Sequence, residues 1–249
     1  MQIDEFLGLV KKRRSIRKFR STPVPDGYVE KILQAARWAM SGGNAQPWEF
    51  IVVRNPRTKN KIAGAVLEQR KIEYEIEQTR IKDLRHPGVL SPPSIPDFRE
   101  APVLIVVCGD RRTLMATVLS HNFIGGEGGP GAVYLKNMAN ATQNMQLAAT
   151  ALGLGSGWIS VGRSAEGSIR AILEVPDLLE IHTIVPVGYS KYELEPTYRR
   201  ELQEIIHFER YDKSKYRSIS DIIRFLRKLR KRSRGSYRKT RPVREDQTR

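Results

Sequence analysis

The stretch that most limits the fold is residues 132–152, where Leu135, Met138, Ala139, Thr142, Met145 and Ala149 recur at helical spacing among many alanines. The apolar residues cover much of the circumference of the helix this predicts. Such a helix must be packed in a core or against another subunit. Other elements therefore have to surround it. Short apolar runs at 48–53, 103–108 and 182–189 are rich in aromatic and β-branched residues and read as buried strands, with 158–161 a shorter one. Helical periodicity recurs over 3–12, from Val29 to about Met40, from about Thr58 to Leu84, and over 164–173. Five prolines between Pro87 and Pro102 break the chain, and no internal repeat is visible. The alternation of helices and short buried strands predicts a mixed α and β sandwich over residues 1–212.

Charge separates that body from its tail. The formal charge is +16, and residues 213–249 hold 15 Lys/Arg against 3 Asp/Glu, or +12. The body keeps +4, ordinary for a soluble enzyme, so residues 213–249 form a distinct basic extension. The single cysteine, Cys108, excludes an intramolecular disulfide and sits in an apolar run as a small buried hydrophobe. No stretch has the length of a membrane span, and Asp4, Glu5, Lys11 and Lys12 interrupt any signal-peptide core. A cytoplasmic protein is the expectation.

The most distinctive polar cluster is Arg13-Arg14-Ser15-Ile16-Arg17-Lys18. Guanidinium forks and a nearby hydroxyl match phosphate oxygens. In an extended segment Arg13, Ser15 and Arg17 share one side, while Arg14, Ile16 and Lys18 share the other. Taken alone, the cluster is also readable as a solvated basic run. The glycine-rich residues 125–131 read as a flexible loop. They lack the Gly-Lys-Ser/Thr ending of a P-loop, which excludes an NTPase of that type. The four histidines, His86, His121, His182 and His207, show neither metal spacing nor a nucleophile motif, so no metal is expected and His182 and His207 read as structural.

Four stretches in order carry a resemblance: 13–17, 41–48 (Ser-Gly-Gly-Asn-Ala-Gln-Pro-Trp), 151–159 (Ala-Leu-Gly-Leu-Gly-Ser-Gly-Trp-Ile), and 185–189 followed by Arg199-Arg200-Glu201-Leu202. Together they resemble the FMN-dependent nitroreductase family across roughly residues 1–212. The resemblance implies an α+β fold with a central, mainly antiparallel sheet flanked by helices, in an intertwined homodimer with FMN at each interface site. It implies that Arg13, Ser15 and Arg17 hold the FMN phosphate, that Arg14 reaches phosphate or ribityl oxygens, and that Arg199 closes over the phosphate. The loop at Ser41, Gly42, Gly43 and Asn44 would lie against the flavin ring of the other subunit, with Gln46 stabilising it. The same Gly42-Gly43 pair also reads as a helix C-cap. Ser160, Val161 and Gly162 would run beside flavin N5 and the pyrimidine edge, and Asn137 would be a polar contact. Some members carry a glutamate near Ser160, so side-chain chemistry differs there.

The chemistry so implied is ping-pong hydride transfer through flavin N5, from NADH or NADPH to a nitroaromatic, quinone or other conjugated acceptor, with no catalytic side chain. A reductive dehalogenase, a flavin-fragmenting oxygenase, or a binding module with a flavin-type fold are the alternatives. The residue 58–84 helix, the 86–102 connection and the 121–131 loop are the candidate lids. Arg70, Lys71 and Tyr74 read as a solvated helix surface. In the tail, Ile219, Ile222, Ile223, Leu226 and Leu229 make one side of a basic amphipathic helix over 218–231, with a mobile segment after it. The preferred reading is an arm packed on the dimer; contact with nucleic acid or an anionic membrane is the other.

Overall fold

In this computed structural model, residues 2–81, 92–115, 130–237 and 241–242 are described. The expectation for the 125–131 loop and the end of the 58–84 helix therefore lies partly outside the described residues. The chain divides into two compact units, Met1–Ser190 and Lys191–Arg249. Residues 191–212, grouped with the body from sequence, pack with the tail.

The first unit is built on a sheet of β1 (Trp48–Val53), β2 (Val103–Asp110), β3 (Gly155–Ser156), β4 (Ile159–Ser160) and β5 (Leu179–Gly188). Its order is β1-β2-β5-β3, with β4 also on β5, and every pairing is antiparallel. The central strands β2 and β5 are the most apolar, because both of their faces are covered. Val103, Ile105, Val107, Val185 and Val187 meet the core residues of α2 (Asp26–Arg37) and α5 (Pro130–Ala151). The alternate residues Leu104, Val106 and Ile184 turn to the other face and are fully buried there. On that side α3 (Pro56–Gln78) packs with α6 (Arg163–Leu173). Helices on both faces of an antiparallel sheet are the architecture that the family resemblance implies.

As expected, α5 is buried almost all round: Tyr134, Met138, Ala141, Thr142, Met145 and Ala149 are inaccessible. Leu135, at 49% exposure, departs from the predicted apolar face, and Lys136, Gln143 and Ala151 are exposed as well. The helix starts two residues earlier than predicted because Pro130, which lacks an N–H, suits its first turn. It ends where Gly153 adopts a φ of 75° and the Leu154 N–H reaches Ala149 O at 2.8 Å.

Other boundaries moved for identifiable reasons. The α3 helix begins at Pro56, because the Asn55 side chain accepts from the backbone N–H groups of Arg57 and Thr58. Strand β2 runs on to Asp110, whose N–H donates to Pro47 O at 2.7 Å. Helix α2 stops at Arg37 and not at Met40, so Gly42-Gly43 does not cap it; Trp38 does. The helix-like residues 201–209 contain only a single 3-10 turn, Leu202–Glu204. Nearby, the His207 ring accepts from Asp212 N at 3.0 Å and stacks on Tyr211.

Remaining elements of the first unit are α1 (Ile3–Lys12) and the short α4 (Arg112–Met115). The second unit pairs β6 (Tyr192–Glu193) with β7 (Arg241–Pro242) and contains α7 (Ile219–Tyr237), which continues past the predicted residue 231. No helix among the described residues is long and apolar enough to cross a membrane. Cys108 is fully buried, and burial pushes its thiol up to about 11, which fits a packing role.

Burial also depresses the pKa of His182 below its ordinary 6.5, while the nearby Glu180 carboxylate acts in the opposite sense. Its Nε2 has no partner among the described residues, and its ring stands edge-on to Trp158 at 5.6 Å. Above pH 6.5 the ring is neutral in both states and the full stability is present. Below it the unfolded chain takes up a proton that the folded chain refuses, so stability falls as pH drops towards the folded pKa. His182→Gln is expected to shrink the loss of melting temperature between about pH 7.5 and 5.5. An unchanged loss would mean that other groups set the acid limb.

Candidate functional site

Residues 13–17 are tied to the sheet by one buried residue. Ile16 is buried, and its N–H donates to Ser156 O at 2.8 Å beside a parallel bridge between Ser15 and Ser156. The segment thereby extends the sheet beyond β3 and has strand geometry. Around Ile16 the alternation leaves Ser15 and Arg17 exposed and Arg13 half-buried; it lapses beyond Arg17, where Lys18 is exposed and Phe19 fully buried. Lys18 pairs with Asp97 at 3.7 Å. Arg14 turns back, its Nη1 donating to Arg13 O at 2.7 Å and to Lys11 O, so that it satisfies carbonyls at the end of α1.

The glycines of 153–157 have a steric reason at this contact. A Cβ on Gly155 would lie 2.5 Å from Ile16 Cγ1, and one on Gly157 would lie 2.8 Å from Ile16 O. Gly157 is also held by α5, where Gln146 Nε2 donates to Gly157 O at 3.2 Å. Ser156 Oγ is buried with no partner among the described residues. Further along the same edge, Ser160 is exposed while Val161 and Gly162 are half-buried. Gly162, at the start of α6, donates its N–H to Gln69 Oε1 at 2.8 Å, and Gln69 Nε2 donates to Glu73 at 2.7 Å. A Cβ on Gly162 would meet Gln69 at 2.8 Å. Gln69 was not legible as a site residue, because nothing in sequence links position 69 to 162.

A second group forms around the 41–46 loop. Gly42–Asn44 make a 3-10 turn in which Gly43 and Asn44 have φ of 61° and 51°, and Gln46 follows at 44°. Left-handed geometry is costly for a glutamine. It is held here by Gln46 N donating to Ser41 Oγ at 3.1 Å and Gln46 Nε2 donating to Asn44 O at 3.3 Å. Helix α5 pins the whole approach to the loop with a row of asparagines. Asn137 Oδ1 accepts from Gly42 N, Asn140 Nδ2 donates to Met40 O, and Asn144 Nδ2 donates to Ala35 O, each at 3.1 Å. Asn137 Nδ2 is buried without a partner among the described residues. Asn137 thus has a structural partner and a spare donor, whereas Asn140 and Asn144 were missed from sequence.

The structure therefore brings Arg13–Arg17 together with 155–157, and Ser41–Asn44 together with Asn137, with α5 supporting both groups. Arg199 is exposed in the second unit, where Nη1 donates to Tyr198 O at 3.1 Å and to Thr197. Of the three residues read as a solvated helix surface, Lys71 is exposed and pairs with Glu68 at 2.8 Å, while Arg70 and Tyr74 are half-buried.

Residues 10–189 match the model of the Nitroreductase family. The chain belongs to the nitroreductase family. It is 31% identical over 193 residues to a putative NADH dehydrogenase/NAD(P)H nitroreductase of Archaeoglobus fulgidus, covering 77% of this chain and 88% of that protein. A solved FMN-dependent nitroreductase from Clostridium difficile superposes with a TM-score of 0.60 at 27% identity, over 82% of this chain and 99% of that one. Rat iodotyrosine deiodinase 1 is 42% identical, but over 74 residues, 30% of this chain and 26% of that protein. Family and relatives support the oxidoreductase class and the fold that the sequence implied.

The residues present suit FMN at both groups. The 13–17 edge offers a hydroxyl and guanidinium groups where backbone cannot be displaced. The glycines let Ile16 and Gln69 pack close against this edge, and the buried Ser156 Oγ and Asn137 Nδ2 still have hydrogen-bonding capacity.

Proposed function

We propose that this chain is an FMN-dependent oxidoreductase that draws on NADH or NADPH and reduces a small conjugated acceptor, a nitroaromatic or a quinone. The observation that carries the reading is the rigid strand edge at 13–17 within a family-matched fold. FMN, when bound, supplies the two-electron relay between nicotinamide and acceptor. The protein's share is binding and orientation. Arg13, Ser15 and Arg17 would hold the phosphate, with charge-assisted bonds of about 1.5–3 kcal/mol each. The backbone of 160–162, whose Gly162 N–H is held by Gln69, would run along the ring edge, and Asn137 and the 41–44 loop would present amide groups.

The loop would act across a homodimer. Phe6, Leu7 and Val10 of α1, with Trp38, Met40 and Leu135, leave apolar surface exposed in the first unit, as an interface before assembly does. Light scattering should return twice the 28.4 kDa chain mass. Reductive dehalogenation is the second reading, favoured by the local identity to iodotyrosine deiodinase 1.

The deciding test is the absorbance spectrum. Purified protein should be yellow, bleach under NADH or NADPH without oxygen, and recover on adding a quinone or nitroaromatic. Recovery with a halogenated phenol alone would favour the second reading. Colourless protein that takes up no added FMN overturns both.

A further inference from the structure

The family match ends at residue 189, whereas most of the positive charge lies beyond 212. The centre of that region is α7, whose start is well specified. Ser218 N and Oγ donate to Asp221 Oδ2 at 3.1 and 2.7 Å, and Asp221 N donates to Ser218 Oγ at 3.2 Å, a reciprocal cap. From there Asp221 and Phe225, spaced i and i+4, turn half-buried toward the unit's own residues and, with the exposed Arg224 and Lys228, line an open groove of about 370 Å³. Phe225 packs on Tyr198 at 6.2 Å under the Arg217 guanidinium at 4.5 Å, and Lys228 lies over Tyr198 at 5.6 Å. The opposite face, spaced i, i+3, i+4 and i+7, is Ile219, Ile222, Ile223 and Leu226, exposed by 77, 42, 43 and 45%.

A helix with a solvent-facing polar side would turn that stripe inward. Here the stripe points out, and α7 carries seven Lys/Arg against one Asp, with Arg227 exposed directly after Leu226. Apolar residues between cations are what an interfacial helix presents to lipid: the stripe enters the headgroup boundary while guanidinium and ammonium groups meet lipid phosphates. We propose that α7 docks this protein on a bilayer containing anionic phospholipid, with Ile219, Ile222, Ile223 and Leu226 as the inserted residues. Nucleic acid would engage the cations but leave the isoleucines in water, and Phe225 is already covered by Arg217. A second copy would cover the stripe, but the body it presents is itself +4 and leaves the cations of α7 without anionic partners. An anionic bilayer satisfies both the stripe and the charge.

The test uses the full-length protein with its flavin, sedimented with vesicles of phosphatidylcholine alone or with one quarter phosphatidylglycerol. Binding to the anionic vesicles should be at least about tenfold stronger, should weaken at high salt, and should fall about tenfold in Ile222→Glu/Leu226→Glu. Because these side chains are exposed, the variant should keep its melting temperature and flavin spectrum; deletion of 213–249 is the second variant and should lose binding as well. Equal sedimentation with both vesicle types would overturn the proposal, as would undiminished binding by both variants. So would a wild type that ignores vesicles while the Glu variant shifts from dimer to monomer, which assigns the stripe to a second copy. Salt-sensitive binding to an oligonucleotide without vesicle binding would assign the tail to nucleic acid instead.

Discussion

Arg17→Ala is expected to weaken FMN binding about ten- to a hundredfold, whereas Lys18→Ala should leave it within about twofold. The two residues are neighbours of like charge, so the contrast tests geometry and not net charge. Ile16 is buried and its N–H is fixed to Ser156 O, so the local alternation places Arg17 on the side of Ser15, whereas Lys18 lies beyond it, just before the buried Phe19. Lys18 there meets Asp97 at 3.7 Å with both side chains about half exposed, a pair worth little. A phosphate dianion losing one of its guanidinium partners loses a charge-assisted bond of about 1.5–3 kcal/mol. Titration of apoprotein with FMN, followed by quenching of flavin fluorescence, measures both variants. Equal losses would show that the phosphate is not held from the Ser15 side.

Gly157→Ala is the second large effect, and it acts on stability as well as on the ligand. Its Cβ would stand 2.8 Å from Ile16 O and 3.0 Å from Pro186 Cγ. Retreat is blocked on both sides: Gly157 N donates to Pro186 O at 3.1 Å, and Gly157 O accepts from Gln146 Nε2 at 3.2 Å. Overpacking against backbone costs about 1–3 kcal/mol, or several degrees of melting temperature in a chain of this size. Because the carbonyl pushed away belongs to Ile16, FMN affinity should fall in the same variant. Gly167→Ala is the control. That glycine lies inside α6 with open space where its Cβ would go, so alanine should raise stability by about 0.5–1 kcal/mol and leave FMN binding alone. Wild-type melting by Gly157→Ala would show that the 13–17 segment does not sit against 155–157 as described.

Local periodicity made the layers legible. The burial of α5, the strands β1, β2 and β5, and the alternation of 13–17 follow from short-range patterns: what a residue faces is set by its neighbours at two, three or four positions. Motif order was enough for the family. The chain ends of elements were less legible, because they depend on partners elsewhere: β2 reaches Asp110 through Pro47 O, and α2 stops before Met40, whose carbonyl Asn140 holds.

Contacts that make the candidate site span long separations, and the sequence carries no trace of them. Gln69 meets Gly162, and Asn137, Asn140 and Asn144 meet residues 42, 40 and 35. A side-chain amide in a helix reads identically whether it faces water or a loop a hundred residues away. The tail shows the same division. That residues 219–229 form a basic amphipathic helix was determined by composition and spacing alone. Which side of it turns inward was decided only by packing, where Tyr198 and Arg217 engage Phe225 and leave the isoleucines outside. Periodicity defines the faces of a helix; the choice between them belongs to whatever the helix rests on.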